Sequence, residues 1–339
     1  LSSCSSSSEE AGLVTSMLDQ IPLSALSVQP DSAALTFTAR DQEAITEATG
    51  VPLNDPNNPE ALWDRRLALR GTPKDDVSDG LGFIDRPLSI VHLGEPLEGL
   101  KPWNNQASIG FDPDTPRSEA GLRVGNSNFI VQRTGAPFVV DTLTEVDDDV
   151  FNGAVANSID LQTGETQQSQ IVVSARDDWR IMTDSAEVAS AWQSDTSTLL
   201  QDSDLATAAQ ALDSVEVIDA QLIRTDFAVA SDEPHPVTEP FSVFGWGVAV
   251  AGGGPLTAAT YVFATEEAGE VALSQLESLW RDPPEQARNG ATGILWEVIN
   301  VQLQDRTVLV TTRPTNGSTT GYFNNFLANG PGVMFQHAA

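Results

Sequence analysis

Cysteine and lysine are almost absent from this chain of 339 residues. The single cysteine, Cys4, rules out an internal disulfide bond. The only lysines are Lys74 and Lys101, and neither follows a glycine as the lysine of a phosphate-binding loop does. The residues three positions before them are Gly71 and Glu98, so a Ser-x-x-Lys nucleophile is excluded as well.

Other catalytic signatures are also missing from the sequence. No Gly-x-Ser-x-Gly elbow is present, and Gly125-Asn126-Ser127-Asn128 comes closest but lacks the final glycine. Gly245-Trp246-Gly247 begins like a dinucleotide-binding fingerprint, yet Val250 takes the place of the third glycine. The histidines are too far apart for an HExxH metal site; they are His92, His235 and His337. The sequence leaves open whether the protein is an enzyme, and none of these motifs favours catalysis.

Positive charge is scarce, because 48 acidic residues face 17 basic ones and the formal net charge is −31. Such a surface repels nucleic acid phosphates and anionic lipid headgroups, so we expect no nucleic acid partner and no electrostatic hold on a membrane. An acidic surface with little lysine is typical of proteins that work in high salt. A GC-rich genome, in which arginine replaces lysine, explains the scarcity of lysine equally well.

Cys4 follows Leu1-Ser2-Ser3 and precedes a run of serines and glutamates. This arrangement resembles the lipobox of bacterial lipoproteins, whose cysteine thiol carries a diacylglycerol. The resemblance implies that residues 1–3 are a remnant of processing and that 1–12 form a flexible Ser/Glu-rich tether. It also places the protein, lipid-anchored, at the outer face of the cytoplasmic membrane or in the cell envelope. The alternative is a stray cysteine in a disordered tail.

Hydrophobic periodicity predicts an α+β fold, with antiparallel sheets flanked by a few helices. The predicted helices are Leu13–Ile21, Asp41–Thr49, Glu60–Arg70, Ser185–Gln193, Asp204–Leu212, Glu266–Trp280 and Tyr322–Leu327. The predicted strands are Ala33–Thr38, Pro87–Leu93, Ala107–Phe111, Leu122–Val124, Asn128–Gln132, Phe138–Thr142, Gln170–Ala175, Trp179–Thr183, Val215–Phe227, Val243–Ala251, Thr257–Phe263, Gly293–Leu303 and Thr307–Thr312.

The segment Phe241–Ala264 contains no charged residue and is long enough to suggest a membrane-spanning helix. Gly252-Gly253-Gly254-Pro255 would break such a helix at its centre and leave backbone groups unpaired in lipid. The alternation before this cluster and the apolar run after it predict a buried β-hairpin instead.

The domain boundaries that we predict are a tether at 1–12, an N-terminal α+β region at 13–165 and a C-terminal α+β region at 166–339. A weak internal similarity links the segments that begin at Trp179 and Tyr261, since both run from a strand through an acidic cap into a helix containing Glu-Val-Ala. Two similar strand–strand–helix subdomains would explain it, and so would chance.

Four segments resemble a group of uncharacterised bacterial envelope lipoproteins. They are MLDQIP (Met17–Pro22), LTFTARDQEAITEATG (Leu35–Gly50), GFIDRPLSIVHLGEP (Gly82–Pro96) and DSDLATAAQAL (Asp202–Leu212). The similarity is diffuse and spans about residues 13–225. It implies an envelope location and an α+β fold, and it brings no known activity and no catalytic residues.

The acidic run Asp147-Asp148-Asp149, ahead of Asn152-Gly153, is the best candidate for a metal site. Calcium binds alternating oxygen ligands on a loop bent at a glycine, so Asp147 and Asp149 are candidate ligands. Phe151 occupies the next ligand position. The alternative is a solvated acidic surface.

The function that the sequence favours is a non-enzymatic, lipid-anchored, extracytoplasmic protein that acts as a binding or accessory subunit of an envelope complex. One alternative is a glycosidase-like hydrolase with paired carboxylates, whose seven tryptophans would stack on sugars. The tryptophans are spread evenly along helix and strand patterns, which favours a place in the core. A second alternative is a solute-binding lipoprotein of a transporter, although the regular alternation of strands and helices typical of two lobes is missing.

Overall fold

The structure is a computed structural model. It describes residues 12–28, 34–53, 109–111, 116–125, 127–135, 137–159, 166–194, 196–229, 235–251, 254–283, 296–314, 334 and 336–338. The predicted helices Glu60–Arg70 and Tyr322–Leu327 and the predicted strand Pro87–Leu93 lie outside these residues, as does Cys4.

One antiparallel sheet of twelve strands dominates the described part of the protein. Its strands are β1 (Leu35–Asp41), β2 (Ser118–Val124), β3 (Ser127–Arg133), β4 (Thr144–Asp147), β5 (Val150–Ile159), β6 (Thr166–Arg176), β7 (Trp179–Thr183), β8 (Val217–Arg224), β10 (Phe241–Ala251), β11 (Gly254–Phe263), β12 (Trp296–Gln304) and β13 (Thr307–Pro314). Their order across the sheet is β12-β13-β11-β10-β8-β1-β2-β3-β7-β6-β5-β4. Two short strands, β9 (Ala228–Val229) and β14 (His337–Ala338), pair in parallel beside it.

The helices are short and begin and end at clear signals. They are α1 (Leu13–Leu18), α2 (Gln42–Thr49), α3 (Ala186–Ser194), α4 (Ser203–Asp213) and α5 (Glu266–Arg281), with 3₁₀ turns at Leu23–Val28 and Leu199–Gln201. The Asp41 carboxylate accepts a hydrogen bond from the Ala44 N–H at the start of α2, and Gly50 ends that helix with a φ of 69°. The Asp213 carboxylate accepts hydrogen bonds of 2.9 Å from the N–H groups of Val14 and Thr15 in the first turn of α1, which fastens α1 to α4.

The sheet buries side chains on both of its faces. On one face, α1 and α4 pack on the central strands around residues such as Phe37, Leu122 and Leu222, and α3 packs on β6 and β7. On the opposite face, α5 packs on β11, β12 and β13, and an aromatic core that includes Tyr261 and Trp280 lies between them. A smaller cluster on that second face joins β3, β6 and β7. The helices therefore pack on both faces of one antiparallel sheet, which confirms the predicted α+β fold.

The order of the strands is the same on both sides of the central β1–β8 pair. From β8 outward the neighbours are β10, β11, β13 and β12, and from β1 outward they are β2, β3, β7 and β6. Each series is an adjacent hairpin followed by a second hairpin that enters in reverse order. A helix precedes each central strand, α1 before β1 and α4 before β8, and these two helices contact one another.

The uncharged segment forms the hairpin β10–β11, as predicted, and the structure has in its described residues no helix long and apolar enough to cross a membrane. Two predicted strands are wrong. Ile109 is helical and Gly110 follows with a φ of 83°, so the described part of Ala107–Phe111 is not a strand. Phe138–Thr142 is irregular because the Val139 N–H bonds to the Gly110 carbonyl instead of joining the sheet.

Candidate functional site: a buried polar row

A row of charged and amide side chains crosses the middle of the sheet. In β1, Phe37 and Ala39 point to the α1–α4 face, so Arg40 points to the opposite face. Arg40 is directly paired with Asp219 of β8 on one side and with Glu119 of β2 on the other. The row continues across β3 and β7. We call the polar row the five paired residues Asp219, Arg40, Glu119, Gln132 and Arg180.

All five side chains of the polar row are buried. Glu119 is 0% exposed and Gln132 is 1% exposed, whereas Arg180 at the end of the row is 7% exposed. Charged residues are rarely buried unless they are paired, because removing a charge from water is costly. The row contains two carboxylates and two guanidinium groups, so its formal charges balance.

Glu119 is held by amide groups on both of its carboxylate oxygens. Gln42, the first residue of α2, donates from Nε2 to Oε1 at 3.0 Å. Gln132 donates from Nε2 to Oε2 at 3.2 Å. Hydrogen bonds of this kind compensate a buried carboxylate for the water that it has lost. They also leave Glu119 poorly placed to accept a proton from a substrate.

Asp219 depends on Arg40 for its compensation. The Arg40 Nε lies 3.4 Å from the Asp219 Oδ1, which is longer than the usual distance for a charge-assisted hydrogen bond. Burial raises the pKa of Asp219, and the guanidinium group of Arg40 opposes that rise only in part. Keeping this carboxylate buried and ionised therefore lowers the stability of the folded protein.

Arg180 closes the row at the turn between β6 and β7. Its Nη1 donates to the backbone carbonyls of Asp177 at 2.7 Å and of Trp179 at 2.8 Å. Burial lowers the pKa of Arg180, while the nearby Asp178 carboxylate opposes this shift. Arg180 thus fixes the turn while it supplies the second positive charge of the row.

The two carboxylates of the row could be compared with a glycosidase pair. Asp219 and Glu119 are on strands two positions apart, a backbone separation of about 10 Å, near the upper limit for inverting enzymes. The guanidinium group of Arg40 lies on the strand between them, and both carboxylates already accept hydrogen bonds from protein groups. This arrangement suits a fixed register between strands and does not suit proton transfer to a substrate.

The calcium candidates lie at the other end of the sheet. Asp147 ends β4, and its Oδ2 accepts a hydrogen bond of 2.5 Å from Ser190 of α3. This bond and a second one from the Asp148 N–H lower the pKa of Asp147. Asp149 lies in the turn to β5 with a φ of 57°. Within the described ranges no three His, Cys, Asp or Glu side chains are grouped to hold a metal ion. A calcium site at Asp147 and Asp149 stays a prediction.

The tryptophans that the structure describes are mainly core residues. Trp192, Trp246, Trp280 and Trp296 are 1–6% exposed, and the ring of Trp280 lies edge-on to that of Trp296 with a centroid distance of 5.6 Å. Their predicted place in the core is confirmed. His337 is buried against the ring of Phe241, and His92 lies outside the described residues.

A shallow recess on the α1–α4 face contains a single carboxylate, Asp184, at the end of β7. Its other lining residues are mainly apolar and come from β2, β3, α3 and the first 3₁₀ turn, with Leu122 and Val188 among them. The Asn128 N–H donates to the Asp184 Oδ2 at 3.1 Å. Burial nevertheless raises the pKa of Asp184 above its ordinary value.

Asp184→Asn is expected to stabilise the protein slightly at pH 7, by roughly a few tenths of a kcal/mol. A carboxyl whose pKa is raised by folding favours the folded state most below its unfolded pKa, and this contribution is lost as pH rises through the folded pKa. The gain should therefore shrink toward pH 4. Urea unfolding of both proteins at several pH values measures it.

Asp178→Asn is the matched control for that experiment, because folding shifts the pKa of Asp178 in the opposite direction. The hydrogen bond from the Arg133 guanidinium group lowers the pKa of Asp178. The ionised Asp178 carboxylate stabilises the folded protein above its unfolded pKa, and this contribution is lost as pH falls. Asp178→Asn should therefore be less stable than the wild type at pH 7, and the difference should shrink at low pH. Equal pH profiles for the two variants would contradict the assignment of Asp184.

The polar row was missed at the level of sequence, for a clear reason. The predicted strands Ala33–Thr38 and Leu122–Val124 ended short of Arg40 and Glu119, so neither residue belonged to a predicted strand, whereas the structure extends both strands over them. The partner of Arg40, Asp219, lies 179 residues away along the chain. A signal was present at Arg180, a single charged residue between Trp179 and Ile181 in a predicted strand. Comparisons of the chain with protein-family models, with curated proteins and with solved structures found no match.

Proposed function

We propose that this protein is a lipid-anchored, non-enzymatic protein of the cell envelope that acts as a binding or accessory subunit of an envelope complex. The observation that carries the proposal is the lipobox-like sequence Leu1-Ser2-Ser3-Cys4 with its polar spacer. A diacylglycerol on the thiol of Cys4 would hold the domain at the outer face of a membrane.

The charge of the protein supports a covalent anchor over surface adsorption. A formal net charge of −31 is repelled by anionic headgroups, so the folded domain has no electrostatic affinity for such a bilayer. Acyl chains buried in the bilayer gain about 0.8 kcal/mol per CH₂ group, and two chains suffice for stable anchoring. The lipid would supply the attraction that the surface does not.

The state of the polar row supports a role without catalysis. Its carboxylates are buried and are bound by Arg40, Gln42 and Gln132 within the domain. Such a network stabilises one register of the central strands and gives a rigid scaffold. A rigid domain on a flexible tether suits a protein that presents a surface to a partner.

The proposal includes two similar subdomains. The equal strand order on both sides of the β1–β8 pair supports them. A hairpin followed by a helix also recurs in β6–β7–α3 and β10–β11–α5, but this recurrence equates β7 with β11 and conflicts with the correspondence that the strand order gives. The sequence similarity matches β7 with β11, whereas the strand order matches β3 with β11. The strand order is therefore the stronger support for a duplicated fold.

Cys4→Ser tests the anchor. When the protein is expressed in a bacterium from its full gene, the wild type should sediment with membranes and be released by detergent. In the variant the amount of protein that sediments with membranes should fall by roughly tenfold, because no thiol is left to acylate. Mass spectrometry of the N-terminal peptide should show the added diacylglycerol. Ser7→Ala, in the same spacer, is the control and should remain with the membranes. An unmodified Cys4 peptide, or a variant that still sediments, would refute the anchor.

The partner is sought by purifying the tagged protein from detergent-solubilised membranes. An envelope protein that co-purifies in near-equal amount, and does so again after mild crosslinking, is the result expected of an accessory subunit. Recovery of the protein alone at all protein concentrations would contradict this part of the proposal.

A further inference from the structure

The sheet has two edges, and they differ in how well they are protected. Unpaired edge strands tend to pair with other chains, so proteins usually shorten them, charge them or distort them. The edge strand β4 has four residues, including Glu145 and Asp147, and its pairing with β5 is interrupted by a register shift. Ser190 of α3 also binds the Asp147 carboxylate. The β4 edge is therefore protected against pairing with another chain.

The opposite edge strand, β12, lacks most of this protection. It has nine residues, and a register shift separates Val298 from Asn300. From Asn300 to Gln304 it pairs without interruption with β13 on its inner side. In the described part of the chain no strand pairs with its outer side. We call Asn300–Gln304 the free edge; it contains no charge and no proline.

The backbone groups that point outward along the free edge belong to Val301 and Leu303. The Arg306 carbonyl accepts a hydrogen bond from the Phe263 N–H of β11, so alternate residues of β13 from Thr307 onward direct their backbone groups to β12 instead. Their partners in β12 are Gln304, Gln302 and Asn300. The N–H and C=O groups of Val301 and Leu303 therefore point away from the sheet, where no described strand receives them.

The side chains of the free edge match their own sequence when it runs in the opposite direction. Val301 and Leu303 pack against the aromatic core under α5. The other three side chains are amides, and the Asn300 Nδ2 donates to the Gln302 Oε1 at 3.0 Å. Antiparallel pairing of two such edges about Gln302 would place Val301 opposite Leu303 and Asn300 opposite Gln304. Apolar side chains then meet apolar ones, and amides meet amides.

The free edge is locally neutral, although the chain as a whole is strongly acidic. Glu297, before the register shift, is paired directly with Arg313 of β13. The exposed Asp305 lies in the turn after the free edge, and pairing about Gln302 places it opposite Ile299 of the second strand. No two like charges therefore face one another in this register. The net charge of −31 acts over longer distances, which salt screens beyond about 10 Å at 0.1 M.

We infer that the free edge pairs with the same edge of a second copy of this chain, in an antiparallel register centred on Gln302. Val301 and Leu303 of each copy exchange main-chain hydrogen bonds with Leu303 and Val301 of the other copy. The twofold axis uses both free edges, and the protected β4 edges stop further growth of the sheet. The paired segment is only about 17 Å long, so the dissociation constant should be on the order of 100 µM. This dimer goes beyond the proposed function and requires neither the lipid nor an envelope partner.

Sedimentation velocity of the full chain with Cys4→Ser tests the dimer, because this variant has no thiol to acylate or oxidise. Protein from about 10 µM to about 1 mM brackets the expected dissociation constant. Raising the salt from about 0.1 M to about 1 M should lower that constant by at least roughly threefold, because screening weakens the repulsion between two acidic copies.

Charges placed at Gln302 test the register. Gln302→Lys and Gln302→Glu each put two like charges directly opposite at the twofold axis, and each should weaken dimerisation by at least roughly tenfold. An equimolar mixture of the two variants should dimerise again, because lysine then faces glutamate. Val146→Lys, at an exposed position of the β4 edge, is the matched control and should change the dissociation constant by less than about twofold. Urea unfolding confirms that each variant folds.

Four results would overturn the inference. A chain that stays monomeric up to about 1 mM in high salt would show that the free edge does not pair. Dimers that weaken when salt is added would be held together by charge. Dimers that both Gln302 variants leave intact would use another surface, and variants that stay monomeric when mixed would exclude the register centred on Gln302. None of these results bears on the Cys4 anchor, since the chain that is measured carries no lipid.

Discussion

Arg40→Leu is expected to destabilise the protein by about 3–5 kcal/mol, because it leaves a buried carboxylate without its charge partner. The side chains of Arg40 and Asp219 are 7% and 4% exposed, so water cannot replace the lost guanidinium group. The 3.4 Å contact is already long, and burial already raises the pKa of Asp219. Urea unfolding at pH 7, followed by tryptophan fluorescence, measures the loss.

The exposed pair Arg133–Asp178 provides the control. Its Nε–Oδ2 distance of 2.7 Å is shorter than that of the buried pair, yet both side chains are nearly half exposed. Arg133→Leu should therefore cost less than about 1 kcal/mol. The double variant Arg40→Leu with Asp219→Leu should recover much of the loss of Arg40→Leu, since two apolar groups can replace a buried ion pair.

The pH dependence separates loss of charge from loss of packing. Without Arg40, the folded pKa of Asp219 should rise further above its unfolded value. The neutral form then favours folding below the unfolded pKa, and this contribution is lost as pH rises through the folded pKa. The deficit of Arg40→Leu should be largest at pH 7 and should shrink toward pH 4. A deficit that stays constant with pH would contradict the electrostatic explanation.

Local structure could be predicted wherever one segment contains its own signals. The helix α2 has a capping aspartate, Asp41, and a left-handed glycine, Gly50, and both ends were predicted within one residue. The hairpin β10–β11 was predicted from the glycine cluster and from the lack of charge. The strands Gln170–Ala175 and Trp179–Thr183 were predicted from their apolar runs, and the structure joins them as the hairpin β6–β7.

The hairpin β4–β5 shows where such signals fail. All four residues of β4 are exposed, so no apolar alternation marks the strand. Asn152-Gly153 looks like a turn, but it lies inside β5 at a register shift between Asn152 and Val155. The sequence suggested a calcium loop at the position where the structure has a two-residue turn at Asp148-Asp149. An irregular strand is recognised only when its partner is known.

The polar row could not be predicted from one strand at a time. It exists because the register of five strands places single polar residues side by side. Whether a strand is covered on both faces is decided by the whole sheet and by the helices that pack on it. Thr38 and Arg40 alternate in β1 as in a solvent-facing pattern, yet Arg40 is buried.

The glycines of the Gly245-Trp246-Gly247 segment have a structural explanation that the sequence did not provide. They lie in β10, and a Cβ at Gly245 would lie 2.6 Å from the Thr260 Cγ2 and 2.7 Å from the Leu222 Cδ2. Leu212 of α4 approaches the same point at 3.4 Å. Glycine allows α4 to pack closely on the sheet beside the central strands. The resemblance to a nucleotide fingerprint is therefore a result of packing.

Gly245→Val is expected to destabilise the protein by about 3 kcal/mol, at the upper end of the usual cost of overfilling a packed core. The three side-chain carbons of valine must displace Thr260, Leu222 or α4, and the neighbouring strands cannot move apart without breaking hydrogen bonds of the sheet. Thermal and urea unfolding measure the effect. Gly135→Val is the control, since a Cβ there meets only the mobile end of Arg117 at 3.4 Å, and it should cost less than about 1 kcal/mol.

The outcome at Gly245 also bears on the polar row. Leu222 lies in β8, the strand that contains Asp219, so a larger residue at Gly245 should press on β8 from the α4 face. If the polar row fixes the register of the central strands, Gly245→Val combined with Arg40→Leu should cost more than the sum of the two single variants. Strict additivity would show that the two faces of the central strands act independently, and it would remove the argument that the row makes the scaffold rigid.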